Sequence, residues 1–136
     1  MMKTIELINP PGLYDPTPNG YSHLAVAALG TRLVLVAGQG GENEDGTLPS
    51  GFQGQVRQAL GNMNIALQAA GAGPQHVARL LALVVNHTEE RLHVFGAELD
   101  RLWGDAPKPA CTLIPVPRLA LDGMLFEIEA TAVVPA

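Results

Sequence analysis

The run of apolar residues from 80 to 85, with the sequence LLALVV, restricts the possible folds of this chain more than any other segment. A run this short with no polar position predicts a β-strand that is covered on both faces. Apolar residues at helical spacing lie on either side of it. They predict one helix from about residue 52 to residue 70, ended by Gly71, and a second from about Thr88 to Trp103, ended by Gly104.

Five further segments have the composition of strands. They are residues 3–8, 24–29, 33–37, 110–116 and 124–134. Gly30-Thr31 joins the second of these to the third, which predicts a tight hairpin between the two. A polar loop from residue 38 to residue 51 precedes the first helix. The resulting order is β-β-β-α-β-α-β-β, which predicts a single α+β domain over residues 1–136.

Two helices can cover only one face of such a sheet. Because the strand at 80–85 is apolar on both sides, the second face needs another cover. We expect that cover to be another copy of the same chain in a closed homo-oligomer. The alternative is that loops of the same chain fold back over the sheet.

The charge balance narrows the possible partners. Eight basic and thirteen acidic residues give a net charge of −5, which argues against a surface for nucleic acid or for an anionic membrane. No apolar run is long enough to span a membrane and the first residues do not have the pattern of a secretory signal, so we expect a cytoplasmic protein. The single cysteine excludes an internal disulfide bond and a multi-cysteine zinc site.

The sequence predicts neither a metal nor an organic cofactor. Gly38-Gln39-Gly40-Gly41 follows a strand, as dinucleotide-binding loops do, but Asn43 stands where the third glycine of that motif belongs, and no helix follows. The four histidines lack metal-ligand spacing. A glycine turn whose backbone amides face a small ligand remains open.

Glu127 and Glu129 are the most informative pair of charged residues. In a strand their carboxylates project from the same face, roughly 7 Å apart, while the apolar residues between and beside them face the other way. Two like charges that are partly removed from water can create a proton carrier. The alternative is a solvated strand face with ordinary glutamates, and spacing alone favours it.

Cys111 and Tyr21 each have a structural and a functional interpretation. A lone cysteine at the start of an apolar strand is usually a small buried side chain, and a reactive thiol needs a cationic neighbour. Tyr21 ends a proline-rich segment, which is typical of a hydrophobic anchor at a junction of loop and strand. The residues alone favour the structural interpretation of both.

Five segments occur in an order and at a spacing that are known from one family. They are Gly20-Tyr21-Ser22, Val36-Ala37-Gly38-Gln39, residues 55–62 (QVRQALGN) continuing to Ala69-Ala70-Gly71, Pro109-Ala110, and residues 126–130 (FEIEA). Together they resemble the Rid (YjgF-like) family of reactive-intermediate imine deaminases, older members of which are called L-PSP endoribonucleases. The resemblance implies a chorismate-mutase-like α+β fold, with two helices on one face of a mixed sheet, assembled as a homotrimer.

The resemblance also implies an activity and a site. Family members hydrolyse 2-imino acids, or their enamine tautomers, to 2-oxo acids and ammonia in clefts between subunits, without metal or organic cofactor. Tyr21 matches the tyrosine that lines the cleft, and Gly38 matches the glycine at the end of the strand beside it. Glu127 matches the first glutamate of the closing E-x-E motif, which positions the attacking water.

One position departs from the family. In members that act on imino acids, an arginine after the Pro-Ala pair binds the substrate carboxylate, and here that position is Cys111, which carries no charge. Arg118, in the next turn, is a candidate replacement. We therefore expect a hydrolytic deaminase for a small imine or enamine other than a 2-imino carboxylate.

Two other functions are alternatives to imine hydrolysis. The first is a non-catalytic trimeric module of the same fold that binds a small metabolite or a protein. The second is ribonuclease activity, which a pI near 5.2 and the lack of a basic stripe disfavour.

Overall fold

A computed structural model describes residues 3–136 of the chain. Its strands are β1 (Ile5–Ile8), β2 (Leu24–Ala27), β3 (Thr31–Gly40), β4 (Val77–Val85), β5 (Ala110–Val116) and β6 (Phe126–Pro135). Its helices are α1 (Phe52–Ala69) and α2 (Glu89–Trp103), and two short 3₁₀ turns lie at Thr17–Asn19 and Pro74–His76. The order of strands and helices is the predicted one.

Four of the strands form one mixed sheet in the order β3-β6-β4-β5. β4 and β5 run parallel, joined through α2, whereas β6 lies antiparallel to both β3 and β4. β3 and β5 are therefore the two edges of this sheet. The α+β class and the mixed sheet agree with the prediction.

The predicted hairpin between residues 24–29 and 33–37 is wrong. β2 pairs with β1, with Ile5 opposite Ala27, and forms a separate two-stranded sheet. Gly30 does make a turn, with a φ of +71°, but beyond it β3 pairs with the equally long β6. Local turn residues specify where the chain reverses; they do not specify which strand supplies the backbone hydrogen bonds.

The main core lies between the two helices and one face of the sheet. The predicted apolar stripe of α1 is buried there. From the sheet, Leu80, Ala82 and Val84 of β4 alternate inward beside Ile128 and Ala130 of β6. Each fully buried aliphatic side chain of this kind contributes about 1.5–3 kcal/mol relative to exposure. This packing fixes the positions of the strands and therefore the positions of the side chains on the other face of the sheet.

The other face of the sheet, here called the open face, is only partly covered. Val85, Leu119 and Met124 form a small second cluster at one end, where residues 117–125 fold back against β4. On β3, Leu33 and Leu35 keep 64% and 74% of their surface exposed. Folded-back loops thus cover one end of the open face and leave apolar side chains uncovered elsewhere.

Within residues 3–136 neither helix is long and apolar enough to cross a membrane.

Candidate functional site

Glu127 lies on the open face, at the boundary between β6 and β3. It stands opposite Leu83 of β4 and Gly40 of β3, and it is half-buried. A Cβ atom at Gly38 would lie 2.6 Å from Oε2 of Glu127, far closer than such atoms approach. Only glycine at position 38 therefore lets this carboxylate lie over β3. A shift of register between Val36 and Gln39, typical of a β-bulge, distorts β3 at the same place.

Glu129 projects from the same face as Glu127, as predicted, and is exposed. It stands opposite Leu81, two positions along β4 from the partner of Glu127. No group of three or more potential metal ligands occurs in the part of the chain that the structure describes. Two carboxylates without a third ligand suit proton transfer or the binding of an organic cation better than they suit the binding of a metal ion.

Glu42 is a second carboxylate beside the first, and sequence reasoning missed it. Its side chain lies against Gly40. A Cβ atom at position 40 would clash with this side chain and with the methyl group of Met124. Asn62 of α1 positions the backbone here, because Nδ2 donates to the carbonyl oxygens of Gly40 at 3.0 Å and of Glu42 at 2.8 Å. The only available signal was the spacing of three residues: glycines at 38 and 40 share one strand face, and a glutamate follows at 42.

Gln55 of α1 connects the loops around these residues through its side-chain hydrogen bonds. It is buried in α1, and its Nε2 donates to the carbonyl oxygens of Pro49 at 3.3 Å and of Gly123 at 3.0 Å. Its Oε1 accepts a hydrogen bond from the backbone N–H of Leu125 at 2.8 Å. One side chain thus connects the loop after β3 to the loop before β6.

We call the group Gly38, Gly40, Glu42 and Glu127 the β3–β6 patch. It consists of two carboxylates over a glycine floor, at one edge of the sheet.

Tyr21 lies at the opposite edge, beside the start of β5. Ser22, the next residue, donates from Oγ to the carbonyl oxygen of Lys108 at 2.6 Å and from its backbone N–H to that of Pro109 at 3.1 Å. The Tyr21 ring packs edge-on against Tyr14 and His23, with ring centroids 6.4 and 5.6 Å away. These bonds attach the proline-rich segment to β5 and place an aromatic group there.

Cys111 is half-buried on the helix side of β5. It stands opposite Leu80 and packs against the main core, and burial raises the pKa of its thiol to about 12. The thiol is therefore neutral and unreactive at neutral pH. Because Leu80 and Leu83 are three residues apart on β4, Cys111 and Glu127 project from opposite faces of the sheet. We call Tyr14, Tyr21, His23 and Cys111 the β5 patch.

Arg118 lies with neither patch. Its Nε donates to the carbonyl oxygen of Leu119 at 3.1 Å, its Nη2 lies 3.1 Å from Asp122, and 66% of its side chain is exposed. Within one chain, then, the predicted site residues fall into three places. Gly38 and Glu127 lie together, on β3 and β6. Tyr21 and Cys111 lie near the opposite edge, which is three strand spacings, about 14 Å, from β3 and two from β6, and Arg118 is bonded within its own loop.

These features define a class of protein. Two helices pack on one face of a four-stranded mixed sheet, a glutamate of the last strand lies over a glycine of the neighbouring strand, and a tyrosine segment is attached to the far edge. This architecture is the YjgF/Rid fold, and solved structures of that group superpose on nearly the whole chain.

The chain belongs to the Endoribonuclease L-PSP family, which includes the YjgF, RutC and Rid proteins; the family profile matches residues 15–134. The RutC family protein YjgH of Escherichia coli is 33% identical over 105 residues, 76% of each chain. The Rid-family protein YyfB of Yersinia pestis, a protein of unknown function, is 36% identical with a TM-score of 0.90 over 97% of this chain and 100% of its own. A probable translation initiation inhibitor of Rhodopseudomonas palustris is 28% identical with a TM-score of 0.72, covering 97% and 99%.

Proposed function

We propose that this protein hydrolyses small imines, or their enamine tautomers, to carbonyl compounds and ammonia. The observation that carries the proposal is the half-buried carboxylate of Glu127 lying over Gly38 on an open sheet face. This carboxylate keeps part of its surface exposed, so water and a small planar substrate can reach it. The family relationship supports the same chemistry.

The reaction needs few groups. Glu127 accepts a hydrogen bond from water and takes its proton as the oxygen attacks the imine carbon. The resulting tetrahedral carbon carries both OH and NH₂. Return of the proton to nitrogen then lets the C–N bond break, so that an iminium ion and water give a ketone or aldehyde and ammonium. We propose that backbone N–H groups near Gly38 of one copy and near Cys111 of another polarise the ligand.

We propose further that the complete site forms between copies of the chain, in a homotrimer. The β3–β6 patch and the β5 patch lie at opposite edges of the sheet, and Glu127 and Cys111 project from opposite faces, so we propose that two copies are needed to bring the patches together. A head-to-tail contact that sets one patch against the other closes into a ring of three when neighbouring copies are related by a threefold rotation. It would also cover Leu33 and Leu35 of the open face. Light scattering should then give about three times the 14.3 kDa chain mass, and a monomer would contradict the proposal.

The substrate we propose is not a 2-imino carboxylate. Cys111, neutral and half-buried, offers no cation where relatives that act on imino acids have arginine, and Arg118 is already bonded to Asp122 and Leu119. Losing hydrogen bonds to a charged group costs roughly 1.5–3 kcal/mol, which is about a ten- to hundred-fold weaker affinity.

Turnover on a panel of imines generated by amine and amino-acid oxidases tests the proposal. Glu127→Gln should lower turnover by about a hundred-fold or more, with the melting temperature nearly unchanged, because a positioned acid or base contributes that much. Glu129→Gln is the matched control, since it removes the same charge from an exposed position of the same strand. Full activity of Glu127→Gln would overturn the mechanism.

The alternative of a non-catalytic binding module rests on the missing arginine. Saturable binding of small ketones by the wild-type protein, with no imine turned over, would favour that alternative.

A further inference from the structure

We propose that the β3–β6 patch selects substrates that carry a positive charge and no carboxylate, and that Glu42 is the residue that provides this selection. The inference rests on the proposed imine hydrolysis and names its substrate class: iminium ions derived from simple amines. It assigns a role to a residue outside the segments that resemble the family.

The two carboxylates are arranged to bind one small ligand. Gly38 and Gly40 face the same side of β3 and are one strand repeat apart, roughly 7 Å. Glu127 lies over the first glycine and Glu42 over the second. In the proposed complex a planar C=N group lies between them, with Glu127 beside its carbon for water delivery and Glu42 beside its nitrogen.

Glu42 has a property that an ordinary surface glutamate lacks. One of its oxygens, Oε1, is buried and receives no hydrogen bond from any group among residues 3–136. Gly40 and the Met124 methyl group lie beside it, and the two hydrogen bonds from Asn62 restrain the backbone. A carboxylate that is desolvated on one side and unpaired gains more from a cation at its other oxygen than a fully hydrated one does.

The surrounding charges favour the same class of ligand. No ion pair in the described part of the chain involves Glu42, Glu127 or Glu129. Arg79 faces the same side of the sheet, but it lies four residues along β4 from Leu83, the partner of Glu127, which is about 13 Å. Arg118, in the loop that packs over this end of the open face, forms its ion pair with Asp122. A substrate carboxylate would therefore meet like charges that no cation of the described chain neutralises, whereas an iminium ion would meet opposite charges.

A matched pair of substrates tests the selection. 2-Iminopropane, made in place from isopropylamine by an amine oxidase, and 2-iminopropionate, made from alanine by an amino-acid oxidase, differ by a methyl group in place of the carboxylate. We expect the wild-type kcat/KM to be at least about tenfold higher for 2-iminopropane. Glu42→Gln should lower that value about tenfold and leave 2-iminopropionate unchanged or faster.

Glu44→Gln is the matched control, because it removes the same charge from an exposed position two residues further along the loop. Preference of the wild-type protein for 2-iminopropionate, or equal effects of Glu42→Gln and Glu44→Gln, would overturn the selection while leaving imine hydrolysis intact.

A binding measurement separates the two proposals if no imine is turned over. Isopropylammonium is a stable cation of similar shape, and isobutyrate is its anionic counterpart. Titration followed by NMR should show that isopropylammonium binds more tightly than isobutyrate, and that Glu42→Gln weakens it several-fold while Glu44→Gln does not. That result without turnover would reject the hydrolase and keep the cation site, and equal binding of both ions would reject the cation site.

Discussion

The β3–β6 patch and the β5 patch occupy opposite edges of the same sheet, and their side chains differ in charge, burial and hydrogen bonding. In the first, carboxylates lie over glycines, and one carboxylate oxygen has no donor. In the second, aromatic rings pack against one another, Ser22 makes two backbone-directed bonds, and the thiol is neutral. The β3–β6 patch presents carboxylates that form no ion pair within residues 3–136, and the β5 patch presents packed aromatic rings.

Each patch therefore lacks a group that the other patch contains. A hydrolytic site needs a proton acceptor for water and also an enclosing wall that positions the substrate. The acceptor lies on β6 and the aromatic wall lies beside β5, with β4 between them. A second copy of the chain is the economical way to join them.

After the loss of Glu127 itself, the largest expected effect comes from filling the floor of the charged patch. Gly38→Ala adds a Cβ atom 2.6 Å from Oε2 of Glu127, so the carboxylate must leave its position. Turnover on the best imine should fall by about ten- to hundred-fold, since misplacing a reacting group has that effect. The free energy of unfolding should fall by no more than about 1–3 kcal/mol, the usual cost of overpacking.

Gly61→Ala in α1 is the control for that variant. Nothing lies within 4 Å of the added atom, so the helix should gain about 0.5–1 kcal/mol and activity should not change. A Gly38→Ala protein with full activity would show that the position of Glu127 over β3 does not matter.

A gain of function in the β5 patch should be somewhat smaller. Cys111→Arg introduces a cation at the position that relatives use for carboxylates, and turnover of 2-iminopropionate should rise about tenfold. Cys111→Ser is the neutral control, and a thermal melt shows whether the larger side chain has disturbed the core. A folded Cys111→Arg protein with no gain would contradict the substrate argument, and so would a wild-type rate equal to that of arginine-bearing relatives.

The smallest effect concerns stability at alkaline pH. Burial raises the pKa of the Cys111 thiol from 9.0 to about 12, so the folded state keeps its proton where the unfolded state loses it. Stability therefore falls as pH rises above about 9, by roughly 1–2 kcal/mol up to about pH 10.5. Cys111→Ser should remove that part of the decline in urea titrations. An identical decline in both proteins would show that the thiol is not desolvated.

The sequence was sufficient for features that depend on local periodicity. The apolar stripe of α1 packs on the sheet as predicted, and Thr88 begins α2 by accepting a hydrogen bond from the backbone N–H of Arg91. β5 has the predicted bounds, and Glu127 and Glu129 share a face because alternation within one strand needs no other information.

Features that depend on pairing between distant strands were not predictable in this way. The predicted pairing of β2 with β3 was wrong, because strand pairing depends on the contacts of the whole sheet and not on the turn alone. The opposite orientations of Cys111 and Glu127 follow from their registers against Leu80 and Leu83 of β4, which no local pattern contains. Glu42 belongs to the patch only because the chain turns back over Gly40.

Mixing two inactive variants is the most direct test of a site shared between copies. Tyr21→Ala damages only the β5 patch and Glu127→Gln damages only the β3–β6 patch, so each protein alone should be nearly inactive. When equal amounts are unfolded and refolded together, a mixed ring contains some contacts in which both patches are intact. Our account predicts recovery of about a quarter of wild-type activity, because each contact needs one particular variant on each side. Activity no greater than the average of the two variants alone would show that the site lies within one chain and would contradict the account.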